Sequence, residues 1–358
     1  MEDDLRPYCS WVIACPNPFL SDSPSNVMPF ACRLLEFAAN SSALEIQEVP
    51  SNPPGLGEVV LRMLAAPVNP ADINVIEGTY GELPALPATI GNEGCGIISQ
   101  IGPDVKGLTI GSPVLVLRSG TWTSEMRVAA SEVVPLPVSI DPWQASMLSV
   151  NPATAWRMLH DFADLQSGDW IVQNAANSAV GRAVIQLAQA LGLRTLNVVR
   201  RPELLDELRG IGADIVILED VDLRTEAVRL CGGSQPRLAL NAVGGSSALN
   251  IANALAPGSP HVTYGAMGRQ PLKIPNGLLI FKNISFRGFW LRRWRESASR
   301  EDIENTYRVL SDFVVKGGLK TPVHRIFPLT QVVDAVKEAS LPGRSGKVLL
   351  DLASCKTH

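Results

Sequence analysis

Long apolar runs are missing from this chain: none approaches the roughly 20 residues that a membrane-spanning helix needs. Charge is scarce too. Charged residues are 18% of the 358 and the formal net charge is −4, which leaves no basic field for a nucleic-acid partner. The six cysteines, Cys9, Cys15, Cys32, Cys95, Cys231 and Cys355, are scattered without C-x-x-C spacing. That speaks against a zinc ribbon or a disulfide framework and makes a reducing compartment the default. Tyrosine is rare, with Tyr8, Tyr80, Tyr264 and Tyr307 the only four.

Apolar residues, at 46%, are plentiful, and the length predicts two domains with full cores. Residues 1–28 differ from the rest: an acidic MEDDLRPY, prolines on either side of Asn17, then SDSPSN before Met28. A transit peptide would be basic and poor in acid, and a secretory signal would begin with basic residues. The segment reads as a disordered extension, with Met28 as an alternative start.

Residues 169–192, DWIVQNAANSAVGRAVIQLAQALG, carry most of the functional signal. An apolar run at 170–172 leads through a small polar loop to a helix whose Val180, Val184, Ile185, Ala188 and Leu191 keep helical spacing. In a dinucleotide-binding fold that loop delivers backbone N–H groups and a positive helix end to a pyrophosphate. Gly181 alone fits the G-x-G-x-x-G pattern. Ala175, Ala176, Ser178 and Ala179 are nonetheless small enough for close approach, and Asn174 and Asn177 tolerate turn geometry and donate amide hydrogens. The next apolar segment, 195–199, ends in Arg200-Arg201, where an NAD-specific fold places an acid on the ribose 2′-OH. A cation pair there suits the 2′-phosphate of NADPH. The plain alternatives are an ordinary βα turn and two solvated arginines.

Apolar runs at 170–172, 195–199, 214–218, 237–242, 261–264 and 284–289, with helical segments between them, read as six strands of a doubly wound parallel sheet. The turn 244–246 and the stretch 264–267 fall at carboxyl ends of strands, where such sheets bind ligands. Before residue 150 the pattern is all-β and rich in loops: a hairpin over 30–49 turning at Asn40-Ser41-Ser42, then strands at 58–66, 97–101, 113–117 and 123–129. A helix is expected over 301–316, ended by Gly317-Gly318.

The motifs NPADIN, GTYGELPALP, GNEGCG, SGTW, VNPATAWRMLHDF, QNAANSAVG and FRGFW occur in this order. Together they resemble the zinc-independent medium-chain dehydrogenase/reductases, most closely the 2-enoyl thioester reductases of fatty acid synthesis. The likeness runs from about residue 29 to 352; NPADIN and the proline-spaced loop are shared with quinone oxidoreductases. It implies an α/β chain with a Rossmann-type doubly wound parallel sheet and a GroES-like β-rich catalytic domain. The implied division is 29–150 catalytic, 151–292 NADPH-binding and 293–358 returning to the catalytic domain. It also implies no catalytic zinc, because Asn92 stands where a histidine ligand would lie beside Glu93, and no structural zinc lobe, because 115–122 contains no cysteine.

The chemistry implied is NADPH-dependent reduction of a trans-2-enoyl thioester of CoA or acyl carrier protein, with hydride to C3 and a proton to C2 from Tyr80, the family's catalytic tyrosine. A phenol, with an ordinary pKa near about 10, holds its proton at neutral pH and can give it to a developing enolate. Tyr264 is the other tyrosine candidate, and a plain surface turn is the other reading of Tyr80. By motif matching, Asn151, Asn177, Ser178, Ala179, Val180, Arg200, Arg201, Tyr264, Gly265, Ala266, Met267, Phe289, Trp290, Leu291 and Lys347 correspond to cofactor-contacting positions. Trp290 offers a flat apolar wall for an acyl group, or a core tryptophan. Arg292, Arg293 and Arg295 are the candidate basic patch for an anionic carrier, or a solvated charged turn. Departures are Arg200-Arg201-Pro202 in place of Arg-Asp-Arg, and alanine for glycine at Ala179 and Ala266. A homodimer through the cofactor domain is implied, and the acidic start favours the cytoplasm over the mitochondrion. The alternatives are a quinone or alkenal reductase, and a non-catalytic NADPH-binding sensor.

Overall fold

The computed structural model describes residues 28–38 and 41–354. The extension expected over 1–28 lies outside the described residues save Met28, as does Asn40 of the expected hairpin turn.

Six strands form one parallel sheet in the order Ile215–Leu218, Arg194–Val199, Trp170–Gln173, Leu238–Asn241, Pro260–Thr263, Ser285–Gly288. Numbered along the chain this is 3-2-1-4-5-6, the doubly wound order whose switch point lies between the first and fourth strands. The two central strands, WIVQ and LALN, are buried at every residue, as strands covered on both faces must be. Alternation explains how: Ile171 joins the cluster containing Val180, Val184 and Leu187 of the helix Ala179–Ala190, whereas Val172 joins Ile251 and Ala252 of the helix Gly245–Ala254 on the other face.

The second body is built around the strand Glu58–Pro67, ten residues long and paired antiparallel with Gly94–Ile101, Glu125–Ala129 and Lys347–Asp351. The last of these comes from the end of the chain, register Leu350 to Ala66, and pairs in parallel with Val323–Pro328. A smaller sheet holds the hairpin Phe30–Leu34 and Leu44–Glu48, register Cys32 to Ile46.

The four-residue helix Pro142–Ala145 departs from the all-β expectation, and so does the helix Pro70–Ile76. Seven residues are too few to show a period, yet the start signal is local. Pro70 sits at the first helical position, where its fixed φ suits and its missing N–H costs nothing, and the Asp72 carboxylate accepts the Asn69 N–H at 2.7 Å.

The two bodies share a core. Leu64, Cys95 and Leu115 of the β body belong to one apolar cluster with Met158, Ile171 and Tyr307, so the helices Asn151–Asp161 and Arg300–Val315 fix how the sheets sit against each other.

Candidate active site

Tyr80 and Trp290, 210 residues apart, meet at the junction of the two bodies. The Trp290 indole donates its Nε1–H to the Tyr80 phenol oxygen at 3.3 Å, and the rings stand edge-on with centroids 6.5 Å apart. The local sequence explains the placement of Tyr80. Gly78, one residue past the C-cap of Pro70–Ile76, has φ +69°, the left-handed turn that commonly ends a helix. The chain then folds back so that the N–H groups of Thr79 and Tyr80 both donate to the Asn74 carbonyl, at 2.8 and 3.1 Å. Trp290 follows the edge strand Ser285–Gly288, with the Phe289 N–H held by the Thr263 carbonyl at 2.9 Å and the Phe289 ring edge-on to Phe162. Leu291, beside them, is buried in the shared core.

At the switch point of the parallel sheet, Ser178 caps the helix Ala179–Ala190 by accepting the Gly181 N–H at 3.1 Å. Ala179 and Val180, as the first helical residues, have N–H groups with no acceptor inside the helix. Gly181 is needed for packing: a Cβ there would come within 2.6 Å of the Ala176 carbonyl oxygen. Buried Arg182 fixes the loop by donating to the Asn177 carbonyl at 3.1 Å and to Glu207 at 2.5 Å. The Tyr264 hydroxyl is enclosed beside Ser178 without a hydrogen bond of normal geometry, and burial raises its pKa, with Ser178 opposing. An enclosed hydroxyl with only Ser178 beside it among the described residues, next to the first N–H groups of a helix, fits a dinucleotide phosphate or ribose. The loop carrying Gly265, Ala266 and Met267 is strapped over the sheet's carboxyl edge, the Met267 N–H donating to the Ala242 carbonyl at 2.9 Å.

Several expectations change at atomic detail. Asn174 does not present its amide to a ligand. It is buried, donates to Asn241 Oδ1 at 2.8 Å and accepts the Ala242 N–H at 2.7 Å, tying two central strands together. Of the arginine pair, Arg201 is engaged by the Gly343 carbonyl at 3.2 Å and Glu203 at 3.4 Å; Arg200 is exposed and makes no ion pair among the described residues. Arg295, expected on a basic patch, turns inward. Its guanidinium donates to the Leu117 carbonyl at 3.1 Å, to the Tyr307 hydroxyl at 2.9 Å and to the Ser149 carbonyl. Arg293 is exposed, and Arg292 pairs with Glu82 at 2.6 Å and Glu296 at 3.0 Å while lying 5.7 Å from the Trp290 ring centroid.

Lys347 is also buried. Its ammonium donates to Asn69 Oδ1 inside a polar knot that also holds Asp72 and Glu93. Glu93 accepts from Asn69 Nδ2 at 2.7 Å, the Val150 N–H at 2.7 Å and Asn151 Nδ2 at 3.3 Å; Asp72 accepts from Asn92 Nδ2 at 2.7 Å. Burial pushes the Asp72 carboxyl up to about 7 and the Lys347 ammonium down to about 8, and raises Glu93 against the pull of Lys347. The knot joins the Tyr80 side of the β body to Asn151 at the start of the cofactor body, so Asn151 and Lys347 are tied together through Asn69. NPADIN and GNEGCG carry these residues, but sequence reasoning assigned Asn69, Asp72 and Glu93 no role.

Two family profiles match: "Alcohol dehydrogenase GroES-like domain" over residues 55–138 and "Zinc-binding dehydrogenase" over 179–311. The human mitochondrial enoyl-acyl-carrier-protein reductase is 40% identical over 348 residues, covering 94% of this chain and 93% of its own. The chain belongs to the medium-chain dehydrogenase/reductase family. Among solved structures of that family, the complex of Candida tropicalis Etr1p with NADP and crotonyl-CoA is 29% identical, covers 91% of this chain and 100% of its own, and has a TM-score of 0.82. A Bacillus thuringiensis protein assigned as an NADPH:quinone reductase is 30% identical, covers 91% and 99%, and has a TM-score of 0.85. The metal in the second profile's description finds no fitting ligand set among the described residues. Among the described residues no three His, Cys, Asp or Glu side chains converge, and the Cys95 thiol donates to the Pro142 carbonyl at 3.3 Å.

Proposed function

We propose that this medium-chain dehydrogenase/reductase reduces trans-2-enoyl thioesters with NADPH. The observation that carries the reading is Tyr80 held by Trp290 at the carboxyl edge of the dinucleotide sheet. A nicotinamide held at this sheet would supply the hydride for C3. Tyr80 gives its proton to C2. Because the indole donates to the phenol oxygen, the phenol's own hydrogen is left free for substrate, and the indole N–H steadies the negative charge that stays on that oxygen. Ser178, the N–H groups of Ala179 and Val180, and Arg200 hold the cofactor's phosphates, and Tyr264 its neighbouring polar groups. Tyr80→Phe tests the assignment: turnover of crotonyl-CoA falls about a hundredfold or more with NADPH affinity kept. Near-normal turnover overturns it.

The same proposal divides the chain into 29–150, 151–292 and 293–358 and pairs two copies. Support for pairing is the strand Ser285–Gly288, which ends the sheet and is unpaired on its outer side among the described residues, with Ile280 and Phe281, a few residues before it, exposed at 69% and 85%, and the Etr1p/Etr2p heterodimer among the related structures. The compartment proposed is the mitochondrion, as in the names of the human and rat relatives, in place of the cytoplasm that the acidic start favoured. A quinone reductase is the second reading, favoured by the fold match to the Bacillus thuringiensis protein.

A further inference from the structure

Four residues close a ring across the junction. Tyr80 accepts from Trp290; the Arg292 guanidinium lies over the Trp290 ring at 5.7 Å; Arg292 pairs with Glu82 at 2.6 Å; and Glu82 is two residues beyond Tyr80 on the same loop. A second, longer pair, Arg269 to Glu77 at 3.5 Å, spans the same junction three residues before Tyr80. Both arginines stand on the cofactor body and both glutamates on the Tyr80 loop. Arg292 is thus spent on two carboxylates, Glu82 and Glu296, and on an indole face.

We infer that Arg292 and Glu82 are positioning residues for Tyr80, not a handle for the phosphates of the substrate's carrier. The inference rests on the proton-donor reading of Tyr80. The pair fixes the loop from its far side and the guanidinium fixes the indole plane, so the Trp290 N–H stays aimed at the phenol oxygen. With both side chains about half exposed, 56% and 50%, the clamp is screened by salt.

The experiment measures kcat and KM with crotonyl-CoA and with uncharged crotonyl-pantetheine for the wild type, Glu82→Gln, Arg292→Met, the swap Glu82→Arg with Arg292→Glu, and Glu82→Gln added to Tyr80→Phe. A half-exposed pair is worth about a two- to fivefold effect. The clamp predicts that loss in kcat, equal for both thioesters, partly restored by the swap and absent when Tyr80 is already phenylalanine. Loss confined to KM for crotonyl-CoA makes Arg292 a phosphate handle and overturns the inference, as does unchanged kcat in an active enzyme. A wild type that reduces neither thioester removes the reductase reading itself, and the clamp with it.

Discussion

Replacing Trp290 by phenylalanine keeps an aromatic ring beside Tyr80 and deletes one interaction, the indole N–H donated to the phenol oxygen at 3.3 Å. In the resting enzyme that is a neutral hydrogen bond, worth about 0.5–1.5 kcal/mol net. As the proton leaves for C2 the oxygen becomes a phenolate, and a bond to a charged acceptor is worth about 1.5–3 kcal/mol. Only the difference, about 1–1.5 kcal/mol, counts toward the barrier, because an interaction accelerates a step by the amount it strengthens in the transition state. Trp290→Phe therefore loses about five- to thirteenfold in kcat. The assay is NADPH consumption with saturating crotonyl-CoA, alongside NADPH titration of the free enzyme. Because the ring remains, KM and NADPH affinity change little. An unchanged kcat, or a loss seen only in KM, refutes the reasoning and makes Trp290 a wall of the acyl pocket instead.

On the proposed reading, cofactor choice depends on Arg200, which makes no ion pair among the described residues. Arg200→Ala weakens NADPH about tenfold or more and leaves NADH unchanged, whereas Arg201→Ala, which loses bonds to Gly343 and Glu203, has the smaller effect; equal effects in titrations of the two variants contradict this. The buried knot gives a pH signature. Asp72 is raised to about 7 from an unfolded value near 3.8, so the folded state binds the extra proton, and its contribution is full below about pH 4 and lost as pH rises to about 7. Urea unfolding of the wild type and Asp72→Asn across that range shows the wild type losing ground with rising pH, by on the order of 2–4 kcal/mol; parallel curves contradict the burial argument.

The parallel sheet was legible because buried strands are continuous apolar runs. Residues 170–172, 195–199 and 237–242 became Trp170–Gln173, Arg194–Val199 and Leu238–Asn241. The short helix Pro70–Ile76 was not, since its single turn-start signal lay inside a motif to which no element was assigned. Arg292, Arg293 and Arg295 looked alike as a run of charge. On the helix Leu291–Ser297, however, Leu291, Trp294 and Arg295 share one face by i, i+3, i+4 spacing, and that face is the one turned inward. Periodicity could have separated Arg295 from the other two. The partners of Asn174, Glu93 and Lys347 come from segments up to hundreds of residues away, and no local pattern announces such a meeting.

The acceptor that takes the hydride decides between the two reductase readings. The direct measurement is NADPH oxidation by the purified protein offered crotonyl-CoA and, separately, a short quinone, with NADH as the cofactor control. Oxidation that requires the enoyl thioester and favours NADPH is the predicted result. Turnover with the quinone and none with crotonyl-CoA contradicts it and moves the protein to the quinone reductases of its family.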